Sequence, residues 1–296
     1  MNSIRKKPYI NFTYLEHPNY KSISYLMQSI IQGKHFLLNR TLKPVSSFNP
    51  VIPADNTSVY EVIRIAHGKI LFWIDHLQRL LNSFTVAGLK PAIHANDLLS
   101  LLDLLITTNA IDEGNIKLDF HFTTSGNKQF TAYFITTNYP NKAQKTKGIH
   151  CCLQHAERHH PTAKIYNPQV RGKANSIIEH YHVYETLLVN HINCLTEGSR
   201  SNLFFIKNDE LYTADDAIVL PGIIRKKVLQ IAQQEDIQIN YRAISIDEIE
   251  QMDAAFITGT SPRILPIAVI DKHHFKVPHP LFIKLKSCLD QLIMET

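Results

Sequence analysis

The chain has 296 residues, 44% of them hydrophobic and 19% charged, enough for a substantial core and for two domains of ordinary size. Its formal charge of +5 is modest and its lysines and arginines are scattered, so no basic stripe for nucleic acid is present. No stretch reaches the length of a membrane span, and its four cysteines, with Cys151 and Cys152 adjacent, make no spaced disulfide framework. A protein of the reducing cytoplasm is expected. The basic Arg5-Lys6-Lys7 runs into the mixed, polar stretch Pro8 to Glu16 and not into the apolar core of a signal peptide.

Along the chain, alternation and helical periodicity change places several times, the pattern of a mixed α and β protein. Tyr60 to Ile65 reads as a strand that turns at His67-Gly68-Lys69 into Ile70 to Trp73, a hairpin. Asp75 is placed to cap a helix with Leu77, Leu80, Leu81 and Phe84 on one face and Gly88 closing it. A second, leucine-rich helix follows Asp97 to about Ile106. Ile116, Leu118, Phe120 and Phe122 alternate with Lys117, Asp119 and His121, the period of a half-buried strand, and Gly126-Asn127 turns it towards Phe130 to Thr136. The polar run Asn138 to Lys147 is the expected linker, dividing the chain into units 1–142 and 143–296. Beyond it, Thr186 to Val189 and Leu203 to Ile206 read as buried strands, with Asn208-Asp209 turning the second into Leu211-Tyr212. A helix from Ile223 to Gln234 follows Leu220-Pro221-Gly222, and strands are expected at Ala254 to Thr258 and Ile264 to Ile270.

Sixteen histidines raise the question of a metal. The candidates, His159-His160, His180 with His182, and His273-His274, lie in no HExxH spacing and beside no CxxC, so no ligand set is assembled from sequence.

Four segments carry a sharper signal. They are Tyr60-Glu61-Val62-Ile63-Arg64 followed by Asp75-His76-Leu77-Gln78-Arg79-Leu80; Lys164-Ile165-Tyr166-Asn167; Thr196-Glu197-Gly198-Ser199-Arg200-Ser201-Asn202; and Leu220-Pro221-Gly222-Ile223-Ile224-Arg225. Thr258-Gly259-Thr260 with Pro266 supports them. In order and spacing they resemble the class IV aminotransferases of pyridoxal-phosphate fold type IV, which include branched-chain and D-amino acid aminotransferases and aminodeoxychorismate lyase. The resemblance implies an α+β fold of two domains with pyridoxal 5'-phosphate between them, and a homodimer. It implies catalysis at the amino-bearing carbon of a small amino acid.

Each demand of that cofactor meets a residue type here. The aldehyde needs a primary amine, and the resemblance implies Lys164 as the Schiff-base lysine and general base, with Asn167 three residues later and Glu197 33 residues later. Lys173-Ala174-Asn175, with Arg171 nearby, is a rival whose asparagine is one residue too close. By itself the Lys164 tetrapeptide reads as a solvated lysine, and the other segments overturn that. The ring nitrogen needs a carboxylate, for which the resemblance implies Glu197 beside Gly198. The phosphate needs an anion site: backbone N–H groups at Ile223 and Ile224 where a helix begins, with Arg64 and the Thr260 hydroxyl.

Three departures from the family pattern limit what the resemblance carries over: a phosphate hydroxyl contact, an unassigned arginine and the substrate. Ile224 stands where many members have threonine, Arg200 replaces a small residue, and no arginine occurs between Arg79 and Arg158, where the transaminases carry one on the strand near Ile116 to Phe122. Ser261, Arg200 and Arg263 are the candidates for holding substrate. Two other readings stay open: an aminodeoxychorismate lyase on the same cofactor site, and a relative that has lost catalysis and serves as a binding protein. The divergent Pro50 to Val59 segment motivates the last, together with Ile224 and Arg200.

Overall fold

The computed structural model describes residues 31–49, 58–91, 93–123, 126–137 and 139–296. Arg5 to Glu16 and Asn138 lie outside them, as does Pro50 to Val59 apart from its last two residues. The first sheet contains β1 (Ile31–Leu38), β2 (Thr41–Pro44), β3 (Ser58–Ala66), β4 (Lys69–Ile70), β5 (Gly114–Phe122) and β6 (Lys128–Ile135). Its order is β2-β1-β6-β5-β3-β4, with every pairing antiparallel. Helices α1 (Trp73–Val86) and α2 (Ala95–Asn109) bring Leu80, Phe84, Leu98, Leu102 and Leu105 into one buried cluster with Ile63, Ile65, Ile116 and Phe120 of the sheet.

The structure departs from the sequence reading of this half in several places. The second arm of the hairpin is only Lys69–Ile70, because Phe72 takes left-handed backbone (φ 52) and α1 starts at Trp73. Asp75 then lies inside the first turn and pairs with Lys226 and Lys227 at 2.6 and 2.7 Å; Leu81 is 43% exposed, since helical pitch turns His76, Arg79, Leu80, Ser83 and Phe84 inward. In β5 both faces are buried: Asp119 accepts from the Tyr133 hydroxyl at 2.8 Å and pairs with Lys117 at 2.8 Å. Lys117 and Asp119 serve each other and Tyr133 inside the protein, so alternation did not mean half-burial. The expected linker holds a short helix, α3 (Lys142–Lys147), capped by Asn141, whose side chain accepts from Gln144 N at 2.9 Å.

The second sheet runs β12-β11-β10-β14-β15-β7-β8-β9-β13. Its strands are β7 (Ile149–His155), β8 (Glu185–Val189), β9 (Cys194–Gly198), β10 (Asn202–Lys207), β11 (Glu210–Thr213), β12 (Ile239–Tyr241), β13 (Ile244–Ser245), β14 (Ala254–Gly259) and β15 (Arg263–Ile270), with β16 (His273–His274) beside β15. Neighbouring Phe204 and Phe205 explain the apolar run in β10, because both faces are covered. Phe204 stacks on Phe256 (centroids 4.9 Å apart) beneath α5 (Ile223–Gln234) and α6 (Pro280–Met294), while Phe205 joins Ile257 and Leu265 on the other face. Strand β9 also pairs with β10, Asn202 opposite Glu197, which closes the sheet on itself. The bounds of α5 agree with the sequence reading. Helix α4 (Pro168–Tyr181) was invisible to it, since Ala174 is its sole buried residue and no apolar stripe marks it.

Candidate active site

Lys164 belongs to the second half of the chain but is fixed by the first. Its carbonyl accepts from Tyr60 N at 3.0 Å, its N–H donates to the Ser83 hydroxyl at 2.9 Å, and Tyr166 N donates to Ser58 O at 3.0 Å, so the segment lies antiparallel along β3. Asn167 then caps α4, its side chain accepting from Val170 N at 3.2 Å, with Pro168 in the first turn. The Lys164 amine lies 4.7 Å from the centre of the Tyr60 ring. Burial weakens the hold of that amine on its proton; Tyr60 and Glu61 act against this, and Arg79 and Arg171 reinforce it, with a net lowering of its pKa. An amine that gives up its proton more readily is better suited to act as a nucleophile and a base.

The amine opens into a cleft of about 410 Å³ lined by Tyr60, Arg79, Arg158, Glu197, Arg200 and Thr260, among others. Glu197 is held there on both oxygens. Arg158 Nε lies 3.0 Å from one, while Leu220 N (3.1 Å) and the Asn202 amide (3.3 Å) donate to the other. Burial raises the proton affinity of Glu197, and Arg158 and the Leu220 N–H only partly oppose it. A carboxylate so oriented suits a hydrogen bond to a protonated ring nitrogen.

Helix α5 begins at the same cleft. Gly222 at its N-cap offers no side-chain cap, so the first backbone N–H groups, those of Ile223 and Ile224 among them, are available to an anion. A side chain at Gly222 would collide with the Asn202 amide that contacts Glu197. Beside this helix start stands Arg79, which donates to Pro221 O at 3.3 Å and to both oxygens of the fully buried Glu61 at 2.9 and 2.6 Å, with His76 Nδ1 3.3 Å from that carboxylate. Thr258 lines the cleft, and its buried hydroxyl has no hydrogen-bond partner among the described residues. Uncapped donors, an oriented cation, an unpartnered hydroxyl and a weakened amine form a donor set that fits a phosphorylated aldehyde.

Of the residues singled out from sequence, the structure brings Lys164, Glu197, Ile223, Thr260 and Arg200 to one cleft. Ile224 is buried in the adjoining crevice, which half-buried Arg64 also lines, its guanidinium stacking over Tyr139 at 4.2 Å and reaching Glu113 at 3.4 Å. Arg263 shares that crevice and points to Asp290 (3.8 Å), because it starts β15 with left-handed backbone (φ 57); the Ser261 hydroxyl accepts from the Asn115 amide at 2.8 Å. Neither lines the Lys164 cleft. The rival Lys173 is exposed on α4, outside the cleft. The sequence reading missed Tyr60, Arg79, Arg158 and Arg171 as site residues. Tyr60 and Arg79 stood in quoted motifs, but nothing in sequence paired Arg79 with Glu61 or Arg158 with Glu197.

Residues 58–270 match the family model for amino-transferase class IV. A D-alanine aminotransferase of Bacillus licheniformis is 27% identical over 259 residues, covering 80% of this chain and 87% of that protein. The branched-chain amino acid aminotransferase of Escherichia coli superposes with a TM-score of 0.80 at 18% identity, over 88% of this chain and 95% of that one. That of Thermoproteus uzoniensis does so with a TM-score of 0.79 at 20% identity, over 89% and 96%.

Proposed function

The chain belongs to the amino-transferase class IV family, and on that premise we propose that it is a transaminase of a small amino acid that holds pyridoxal 5'-phosphate on Lys164. The observation that carries this reading is the convergence of the Lys164 amine, the Glu197 carboxylate and the open start of α5 on one cleft. When bound, the cofactor withdraws electrons from the bond being broken at the amino-bearing carbon. Lys164 Nζ would hold the cofactor through its aldehyde carbon, and as a free amine would take the proton from the substrate's amino-bearing carbon and hold it for return. Glu197 keeps a proton at the ring nitrogen, with Arg158, Asn202 and Leu220 N fixing its direction. The N–H groups of Ile223 and Ile224 anchor the phosphate, together with the Thr260 hydroxyl. We assign the accompanying positive charge to Arg64, which lines one crevice with Ile223, Ile224 and Thr260, and to Arg79, which lines the Lys164 cleft and is itself bound to both oxygens of Glu61.

Borohydride reduction of the holoprotein followed by peptide mass mapping tests the assignment. The added cofactor mass is expected on the peptide carrying Lys164, and Lys164→Ala is expected to lose that mass, the yellow colour and turnover together. Label on Lys173, or normal turnover in Lys164→Ala, would refute it.

A second reading, a lyase forming 4-aminobenzoate and pyruvate from aminodeoxychorismate, is supported by Arg200 in the cleft and by Lys117, not arginine, on β5. Pyruvate released without a keto-acid acceptor distinguishes it. A protein that stays colourless with added cofactor would support the lapsed, binding-only relative. The family resemblance also leads us to propose a homodimer, which light scattering checks. No helix among the described residues is long and apolar enough to cross a membrane.

A further inference from the structure

The turn that joins β9 to β10, Ser199-Arg200-Ser201, is polar throughout, yet both of its serines are buried. Donors taken out of water need acceptors. Glu185, the first residue of β8 and only 3% exposed, supplies them. One of its oxygens accepts from the Ser199 hydroxyl at 2.6 Å and from Thr186 N at 2.9 Å; the other accepts from the Ser201 hydroxyl at 2.9 Å and from Arg200 N at 3.2 Å. Three of these four donors belong to the turn, and none of the four is a cation. Arg158 takes up acceptors at the start of the same turn, donating to the Gly198 and Ser199 carbonyls at 3.4 and 2.9 Å while its Nε holds Glu197 at 3.0 Å.

The turn is flanked by two residues that meet at the cleft. Glu197 precedes Gly198 and Asn202 follows Ser201; they pair across β9 and β10, and the Asn202 amide donates to Glu197 at 3.3 Å and to Leu220 O at 2.8 Å. The shape of the turn therefore sets the angle between them. A carboxylate offers two acceptor oxygens and no donor, whereas a glutamine would turn an N–H2 group towards donors already there. Charge also shortens and strengthens the hydrogen bonds that hold the turn. Resting on the reading of the cleft as a pyridoxal-phosphate site, we propose that Glu185 is a positioning residue, which gathers the donors of the turn and so fixes the direction from which Glu197 meets the ring nitrogen. Glu185 does not line the cleft; it acts through Ser201, which does, and through Ser199 and Arg200 N.

The apoprotein is titrated by fluorescence with pyridoxal 5'-phosphate and with deazapyridoxal 5'-phosphate, which has a carbon–hydrogen group in place of the ring nitrogen. Aldehyde and phosphate are the same in both, so the ratio of the two Kd values reads the contact to that nitrogen alone. The parent favours pyridoxal 5'-phosphate by about 10- to 100-fold, the worth of a hydrogen bond to a charged group. Glu197→Gln removes most of this preference. Glu185→Gln, although it leaves Glu197 in place, lowers the preference by at least about fivefold, and adding it to Glu197→Gln lowers it no further, because both act through one contact. A residue that only stabilised the fold would weaken both ligands alike, so a Glu185→Gln protein with the parental ratio would overturn the proposal. Ser199→Ala and Ser201→Ala each remove one donor and keep the carboxylate; both are expected to lower the ratio. They decide the matter if Glu185→Gln does not fold, since parental ratios in both would overturn it equally. Failure of the underlying cofactor reading looks different, because then neither ligand binds the parent and no cofactor mass is trapped on Lys164.

Discussion

Replacing Arg79 by methionine tests whether the pair it makes with Glu61 organises the cleft. Both side chains are buried, Glu61 completely and Arg79 with 6% exposed, and they exchange hydrogen bonds of 2.9 and 2.6 Å. Removing one partner of such a pair leaves a buried, uncompensated charge at a cost of about 3–5 kcal/mol. At roughly 2–4 °C per kcal/mol, the apoprotein should melt about 6–20 °C lower at neutral pH. The pH dependence fixes the cause. Burial raises Glu61, but Arg79 and His76 more than reverse this and hold it well below the usual carboxylate range. The stability gained from that depression is complete above the ordinary glutamate pKa and is lost only as pH falls through the depressed one. In Arg79→Met burial acts without Arg79, Glu61 takes up a proton more readily, and the deficit against the parent shrinks as the pH is lowered from neutrality. Protonation of His76, kept neutral in the parent chiefly by its burial, would act in the same direction. Glu61→Met combined with Arg79→Met should regain most of the loss, because a matched apolar pair leaves no stranded charge. Urea denaturation and thermal melts of the apoprotein across this range are the assay. A single-variant loss under about 1 kcal/mol, as for an exposed pair, would refute the reasoning, as would a double variant no better than the single.

Tyr60 should titrate in the apoprotein with a midpoint of about 7, seen as near-ultraviolet phenolate absorbance that Tyr60→Phe abolishes and Arg171→Met moves upward. Gly222→Ala pushes a methyl into the Asn202 amide, which in turn contacts Glu197; weaker cofactor binding, measured by fluorescence titration, is expected to exceed the roughly tenfold that 1.4 kcal/mol represents. Glu185→Gln replaces a carboxylate that accepts from Ser199, Ser201 and Arg200 N, and is expected to cost about 1–3 kcal/mol in urea denaturation, since a neutral amide has one acceptor oxygen where the carboxylate has two.

Much of the candidate site was legible without a structure because its groups sit in local patterns. The helix opening after Leu220-Pro221-Gly222 follows from the backbone rules for helix starts, and that opening has no side-chain cap. Lys164, Asn167 and Glu197 keep a family spacing whose local reasons are visible in the structure: a strand-like segment along β3, a helix cap, and the end of a strand that meets Asn202. Arg64 lies on the same face of β3 as Tyr60 but four residues further, about 13 Å along the strand, where it lines a crevice with Ile223, Ile224 and Thr260. Arg79 is drawn to the cleft by Glu61, a contact between a strand and a helix that no spacing announces. Arg171 and Arg200 meet only because α4, a helix without an apolar stripe, lies against β8 and delivers one guanidinium to the loop that carries the other. Periodicity records which residues leave water; the matching of buried charge depends on which elements approach, and that is set by packing across the whole chain.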